Sequence, residues 1–187
     1  SADVALKGLA YLIEAMAKLR ADGHEITLTI IGKPKPGKSL DLIDQYGLAP
    51  HITFVSGVTD ERIVELYSEA ELAVVPSLYE GFSLPAIEAM CSGTPLVATD
   101  GGALPEVTGA DGETVFRCRK ADVADLAKAI ARALSNADVR AEVGAAGRQR
   151  VLERWTWKRC AELTVEQYRE VLAMPQNIEK LRRNGRL

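Results

Sequence analysis

The sequence predicts an α/β fold built on a doubly wound parallel sheet with helices on both faces. Three observations lead there. Short apolar runs alternate with longer segments of helical spacing through most of the 187 residues. The runs are continuously apolar, as strands buried on both faces must be. Turn residues, chiefly Gly and Pro, close most of the runs.

Leu6, Leu9, Leu12, Ile13, Met16 and Leu19 recur at helical spacing, and Asp22-Gly23 stops that first helix. The Ile- and Thr-rich run 26–31 reads as a strand and ends in Gly32-Lys33-Pro34-Lys35-Pro36-Gly37. A short polar helix over 39–46 leads to a second strand over 52–55, closed by Ser56-Gly57. Ile63, Leu66 and Tyr67 mark a helix starting at Thr59 or Asp60, and a third strand over 72–75 ends at Pro76-Ser77. Ser83 stands where an N-cap belongs, with Pro85 in the first turn, so a helix opens there and Gly93 ends it. A fourth strand over 96–99 runs into Asp100-Gly101-Gly102, and a fifth spans 114–117. Two Ala-rich helices follow over 122–134 and 137–154, and a last long helix covers 157–174. The basic stretch 178–187 lacks periodicity, so 175–187 is expected to be a solvated tail, with membrane-surface contact as its other reading. An alternating α/β chain should place a strand before the first helix, and Ser1 is not a start methionine. The chain therefore reads as a fragment of a longer protein.

Bulk composition narrows the function. A length of 187 residues suits one domain with a proper core. A net charge of −3 provides no footprint for nucleic acid. No apolar run approaches the roughly 20 residues that cross a bilayer, and no signal peptide is visible. Cys91, Cys118 and Cys160 are odd in number and widely spaced, which suits a reducing, cytoplasmic compartment better than a disulfide framework. With only His24 and His51, a histidine-based metal site is not expected.

Ligands of an open parallel sheet sit outside the carboxyl ends of its strands. Four loops with special residues converge on that rim: Gly32-Lys33-Pro34, Ser56-Gly57-Val58-Thr59, Tyr79-Glu80-Gly81-Phe82-Ser83 and Gly101-Gly102-Ala103-Leu104-Pro105-Glu106. Gly81 lets the backbone approach a ligand, and the free N–H groups of the helix opened by Ser83 make an anion site that suits a diphosphate. Glu88, in the second turn of that helix, leans back toward the same cleft and suits neutral hydroxyls such as those of a ribose. Glu80 can treat a sugar the same way. By spacing alone, however, both glutamates fit exposed surface positions. Lys7 begins the first helix on the same rim, where it either neutralises a phosphate or is an exposed helix lysine.

Glu80 and Glu88, with seven residues between them, lie within Pro76-Ser77-Leu78-Tyr79-Glu80-Gly81-Phe82-Ser83-Leu84-Pro85-Ala86-Ile87-Glu88-Ala89-Met90, followed by Gly93-Thr94-Pro95-Leu96-Val97-Ala98. This block resembles the donor site of the retaining glycosyltransferases of family 4, the group 1 transferases. Lys7-Gly8, Ile31-Gly32, Phe54-Val55-Ser56-Gly57, Gly102-Ala103-Leu104-Pro105-Glu106 and Arg154-Trp155-Thr156-Trp157 match in the same order, so the resemblance runs from Lys7 to about Leu172.

The resemblance implies the Rossmann-like C-terminal half of a GT-B fold over 1–174, with 157–174 as a helix crossing back to an absent N-terminal acceptor domain. It implies a nucleoside-diphosphate sugar as donor substrate, no obligatory metal or other cofactor, and transfer with retention of configuration. Glu80 and Lys7 would be the catalytic residues, Glu80 on donor-sugar hydroxyls and Lys7 on the diphosphate. Gly81 and the amides of Phe82, Ser83 and Leu84 would hold the distal phosphate, Glu88 the ribose, and the loops at Gly32-Lys33 and Val58-Thr59 would border the base. Cys91, Cys118 and Gly101 receive no separate role. The fragment alone would be inactive, and any membrane contact would come through the parent protein or the basic tail. One departure stands out. The family's arginine five or six residues before the lysine falls on Ala2 or Ser1, and no arginine precedes Arg20, leaving Lys33 and Lys35 as candidates for a second cation. The last helix has an apolar face (Leu163, Val165, Tyr168, Val171, Leu172) that packs either on its own domain or on the absent one.

Overall fold

The computed structural model describes residues 5–183, so Ser1 and Ala2 lie outside it. Two compact units divide between Arg150 and Val151.

In the first unit, a 3-10 turn at Ala5–Lys7 leads into α1 (Leu9–Ala21), followed by β1 (Leu28–Ile31), α2 (Lys38–Gln45), β2 (Ile52–Val55) and α3 (Asp60–Glu69). Then come β3 (Ala73–Val75), α4 (Leu84–Cys91), β4 (Leu96–Thr99), α5 (Leu104–Thr108), β5 (Phe116–Cys118), α6 (Val123–Ser135) and α7 (Ala137–Arg154), whose last four residues belong to the second unit. Every strand pairing is parallel, as the continuous apolar runs require. The strands form two sheets. β1 pairs with β2, from Leu28 opposite Ile52 to Ile31 opposite Val55. β4 is central in the order β3-β4-β5, with Val97 partnered by Val74 and Phe116. Among the described residues no pairing joins β1 to β3.

α1 ties the two sheets together because its apolar positions serve two clusters. Leu9 and Ile13 pack with Ile30 of β1 and with Leu42, Ile43 and Leu48. Leu12, Ala15 and Leu19 pack with Val97, Phe116 and the buried face of α6, Leu126, Ala127, Ala129 and Ile130. Each large side chain so buried contributes about 1.5–3 kcal/mol relative to exposure. All four residues of β4 are buried, which makes it the centre of the unit.

Several boundaries differ from the sequence reading, each for a local reason. Lys7 closes the 3-10 turn instead of starting the helix, because Gly8 adopts a left-handed conformation at the N-cap position. β1 starts at Leu28 and β5 at Phe116, later than the apolar runs suggest, because pairing depends on a neighbour and not on composition. Leu104–Thr108, read as loop, forms the short helix α5 with Pro105 in its first turn.

In the second unit, α8 (Trp157–Ala173) is capped by Thr156, whose hydroxyl accepts from Arg159 N, and α9 covers Pro175–Arg183. The helix α9 replaces the expected aperiodic tail through residue 183, and residues 184–187 lie outside the described chain. Leu163, Val165, Tyr168, Val171 and Leu172 of α8 are all exposed. No described helix is long and apolar enough to cross a membrane.

Candidate functional site

The site begins at the carboxyl end of β3. A Cβ on Gly8 would lie 2.0 Å from the Pro76 carbonyl oxygen, and its φ is +70°. Only glycine lets the backbone before α1 settle there. Leu78 N donates to Leu6 O at 2.8 Å, fixing that approach. Lys7 is thereby delivered to Glu80 across 73 positions of sequence, with its Nζ 2.7 Å from Oε1.

Glu80 is 8% exposed and held from three directions. The Ser77 hydroxyl donates to the same Oε1 at 2.7 Å. Ala103 N donates to the Glu80 carbonyl at 2.8 Å, and a parallel bridge links Glu80 to Gly102. Gly102 has φ +63°, and a Cβ there would sit 2.3 Å from Glu80 O, so only glycine permits this approach. Thr99, at the end of β4, donates through its hydroxyl to the Ser77 carbonyl. A carboxylate this buried needs its cation and its hydroxyl, because removing one partner of a buried pair leaves an uncompensated charge.

The next loop carries the start of α4. Gly81, Phe82 and Leu84 are exposed. Ser83 occupies the N-cap position, as its place in the sequence suggests, but it does not cap. Its φ and ψ are both 80°, and its side chain makes no cap bond. Its hydroxyl is buried and has no hydrogen-bond partner in the structure. A left-handed non-glycine residue costs roughly 1–2 kcal/mol, and such strain gathers at ligand sites. The first intrahelical bond of α4 runs from Ile87 N to Ser83 O, so the amides of the first turn point out of the helix without intrahelical partners.

Glu88 is on the exposed side of α4. Partial burial pushes its carboxyl above the usual range, and the Asp60 carboxylate adds to the shift. Burial likewise pushes the Tyr67 phenol up to about 12, with Glu88 contributing. The Tyr67 hydroxyl donates to Pro85 O at 3.4 Å, and Thr94 Oγ1 donates to Tyr67 O at 2.6 Å, joining α3 to the first turn of α4 and to the turn before β4.

The loops after β1 and β2 enclose a cleft of about 390 Å³, lined by Ile31, Gly32, Lys33, Lys35, Val58 and Ile63 among others. Gly32, Lys33 and Val58 thus share one concave surface. Thr59 does not line it. Its hydroxyl accepts from Arg62 N and caps α3. Lys33 and Lys35 are exposed. A larger cleft of about 490 Å³ borders Glu71, Pro95, Arg140 and Arg148, where the chain enters β3 and β4. It contains none of these residues, and its arginines are committed, Arg140 to Glu71 and Arg148 to the Cys91 carbonyl. Among the described residues, no group of three His, Cys, Asp or Glu side chains is placed to hold a metal.

Ser77, Thr99 and Gly102 complete the surroundings of Glu80, and sequence reasoning assigned them no role. The Ser77-x-x-Glu80 spacing was a local signal for the first. Nothing local signals Thr99, which arrives from another strand.

A family model described as glycosyl transferases group 1 matches residues 2–150. The MMP alpha-(1->4)-mannosyltransferase of Mycolicibacterium hassiacum is 42% identical over 174 residues, covering 92% of this chain and 42% of that protein. Sucrose-phosphate synthase from Thermosynechococcus elongatus has a TM-score of 0.78 at 32% identity, over 91% of this chain and 43% of that one. The C-terminal domain of a group 1 family glycosyl transferase from Francisella tularensis has a TM-score of 0.73 at 25% identity, over 82% of both chains. This chain therefore spans about two fifths of the length of the curated relatives it matches.

Proposed function

The chain belongs to the group 1 glycosyl transferases, and from that premise we propose that it is the donor-binding domain of a retaining enzyme. Residues 1–174 bind a nucleoside-diphosphate sugar, and an N-terminal domain of the same polypeptide binds the acceptor. The contact between Lys7 and Glu80 carries this reading. It brings a cation and a buried carboxylate together beside the outward amides of α4.

In this reading Glu80 accepts from donor-sugar hydroxyls, and Gly81 with the amides of Phe82, Ser83 and Leu84 receives the distal phosphate. The Ser83 hydroxyl, buried without a partner, supports that placement. Lys7 pairs with the diphosphate, Glu88 accepts from the ribose, and the cleft at Gly32, Lys33 and Val58 takes the base, with Thr59 behind it. Lys33 or Lys35 supplies a second cation. As the glycosidic bond breaks, charge grows on the leaving diphosphate, where Lys7 and the helix amides stabilise it. Losing one preorganised donor of this kind typically costs about 3–4 kcal/mol of transition-state stabilisation. No step calls for a metal, and the reading places the enzyme in the cytoplasm.

Titration of the chain with UDP-glucose, GDP-mannose and ADP-glucose, followed by NMR, tests it. The expected outcome is millimolar or tighter binding of at least one, with amide shifts at Gly81, Phe82, Ser83 and Leu84, and no turnover. If none of the three perturbs those amides at millimolar concentration, the donor reading fails.

A further inference from the structure

We propose that Ser77 is a positioning residue that holds the Glu80 carboxylate in place when a nucleotide draws Lys7 away. The inference rests on the donor-site reading and adds a residue to it. Both donors to the Glu80 carboxylate converge on one oxygen, Lys7 Nζ and Ser77 Oγ each at 2.7 Å from Oε1. Among the described residues, no hydrogen bond is made to Oε2. One oxygen is thus anchored by the protein, and the other is the acceptor left for a ligand hydroxyl.

The two donors differ in how firmly they stay. The Lys7 side chain is 39% exposed and ends a flexible stem, so an arriving diphosphate competes for it directly. Ser77 is 2% exposed and neutral, and a phosphate exerts no net pull on it. Its backbone is tied to β4 by the Thr99 hydroxyl, and Gly101 N lies 3.4 Å from that same hydroxyl. If Lys7 were the sole partner, nucleotide binding would strand a buried carboxylate beside a new anion, and the side chain would turn away. With Ser77 in place, Oε1 keeps a hydrogen bond and Oε2 stays directed at the sugar. Lys7 then answers to the phosphate and Ser77 to the orientation of Glu80.

The experiment compares affinity for UDP with UDP-glucose and for GDP with GDP-mannose, by calorimetry, in the wild type, Ser77→Ala, Ser77→Thr, Glu80→Ala and Ser77→Ala/Glu80→Ala. In Ser77→Ala the nucleotide alone should bind within about twofold of wild type, while the extra affinity from the sugar falls by about tenfold, the size expected for a hydrogen bond to a charged group. Ser77→Thr, which keeps the hydroxyl, should recover most of that loss. In the Glu80→Ala background, Ser77→Ala should change nothing further. An equal loss for nucleotide and nucleotide sugar would overturn the proposal, because it marks a general packing defect. So would a Ser77→Ala effect that persists without Glu80. Wild type that binds none of the four ligands would instead sink the donor reading itself. A crystal structure of Lys7→Met gives a check without ligand. Glu80 Oε1 should remain on Ser77, and a carboxylate that leaves its place there contradicts the proposal.

Discussion

At Glu88 the structure turns an ambiguous surface acid into a testable one. Its carboxyl is held above its ordinary value of 4.5 by partial burial and by Asp60. The folded chain therefore binds this proton more tightly than the unfolded chain does. The stability owed to this group is present below 4.5 and is lost as pH rises through the elevated folded value. Glu88→Gln should consequently melt at or slightly above the wild-type temperature at pH 7 and lose that advantage at pH 4, while weakening nucleotide binding. A variant less stable than wild type by more than about 1 kcal/mol at pH 7 would show that the carboxylate has a structural partner. Nucleotide affinity should fall on acidification with a midpoint above 4.5, and Asp60→Asn should move that midpoint down. Gly102 makes a different point. Alanine there meets both the left-handed backbone and the Glu80 carbonyl, so Gly102→Ala should cost about 2 kcal/mol or more in denaturant unfolding and reduce sugar-dependent binding.

Among the elements, the amphipathic helices were the most legible. The apolar positions of α1 and α6 recur on one face, and those residues are the buried ones. Asp122 caps α6, its carboxylate accepting from Asp125 N at 2.9 Å. Asp122→Ala should therefore lower stability by about 1 kcal/mol in urea without altering nucleotide affinity, because its carboxylate binds Asp125 N and Arg119 and none of the residues assigned to donor binding. The elements that sequence reasoning missed are those with too few large apolar residues to register. α5 is only five residues long, and α9 has only Ile178 and Leu181 as large apolar residues, too few to register against its basic flanks. The cap at Ser83 failed for another reason. Ser, a following Pro and an apolar run specify where a helix begins, but not that the capping residue adopts φ 80° with its hydroxyl turned inward.

At the scale of the whole molecule, every residue assigned to donor binding lies in the first unit, within residues 7–88. A chain ending after α7, at Arg154, should keep nucleotide affinity within about twofold of the 187-residue chain by calorimetry, since each lost contact to a charged group would otherwise show as tenfold or more. A larger loss would assign α8 or α9 a part in the site. The sequence by itself determined the α/β class, the parallel strands, most helices and the block that marks the family, because spacing and turn chemistry are local properties. Only the tertiary structure decided that the strands form two sheets tied by α1, and that Lys7, Ser77 and Gly102 converge on Glu80 while Thr99 holds Ser77 in place. Those residues come from three separate segments of chain, before α1, after β3 and at the end of β4. Periodicity reports which face of an element is buried, whereas the identity of the neighbour is settled only when distant segments pack and a buried charge must find its donors.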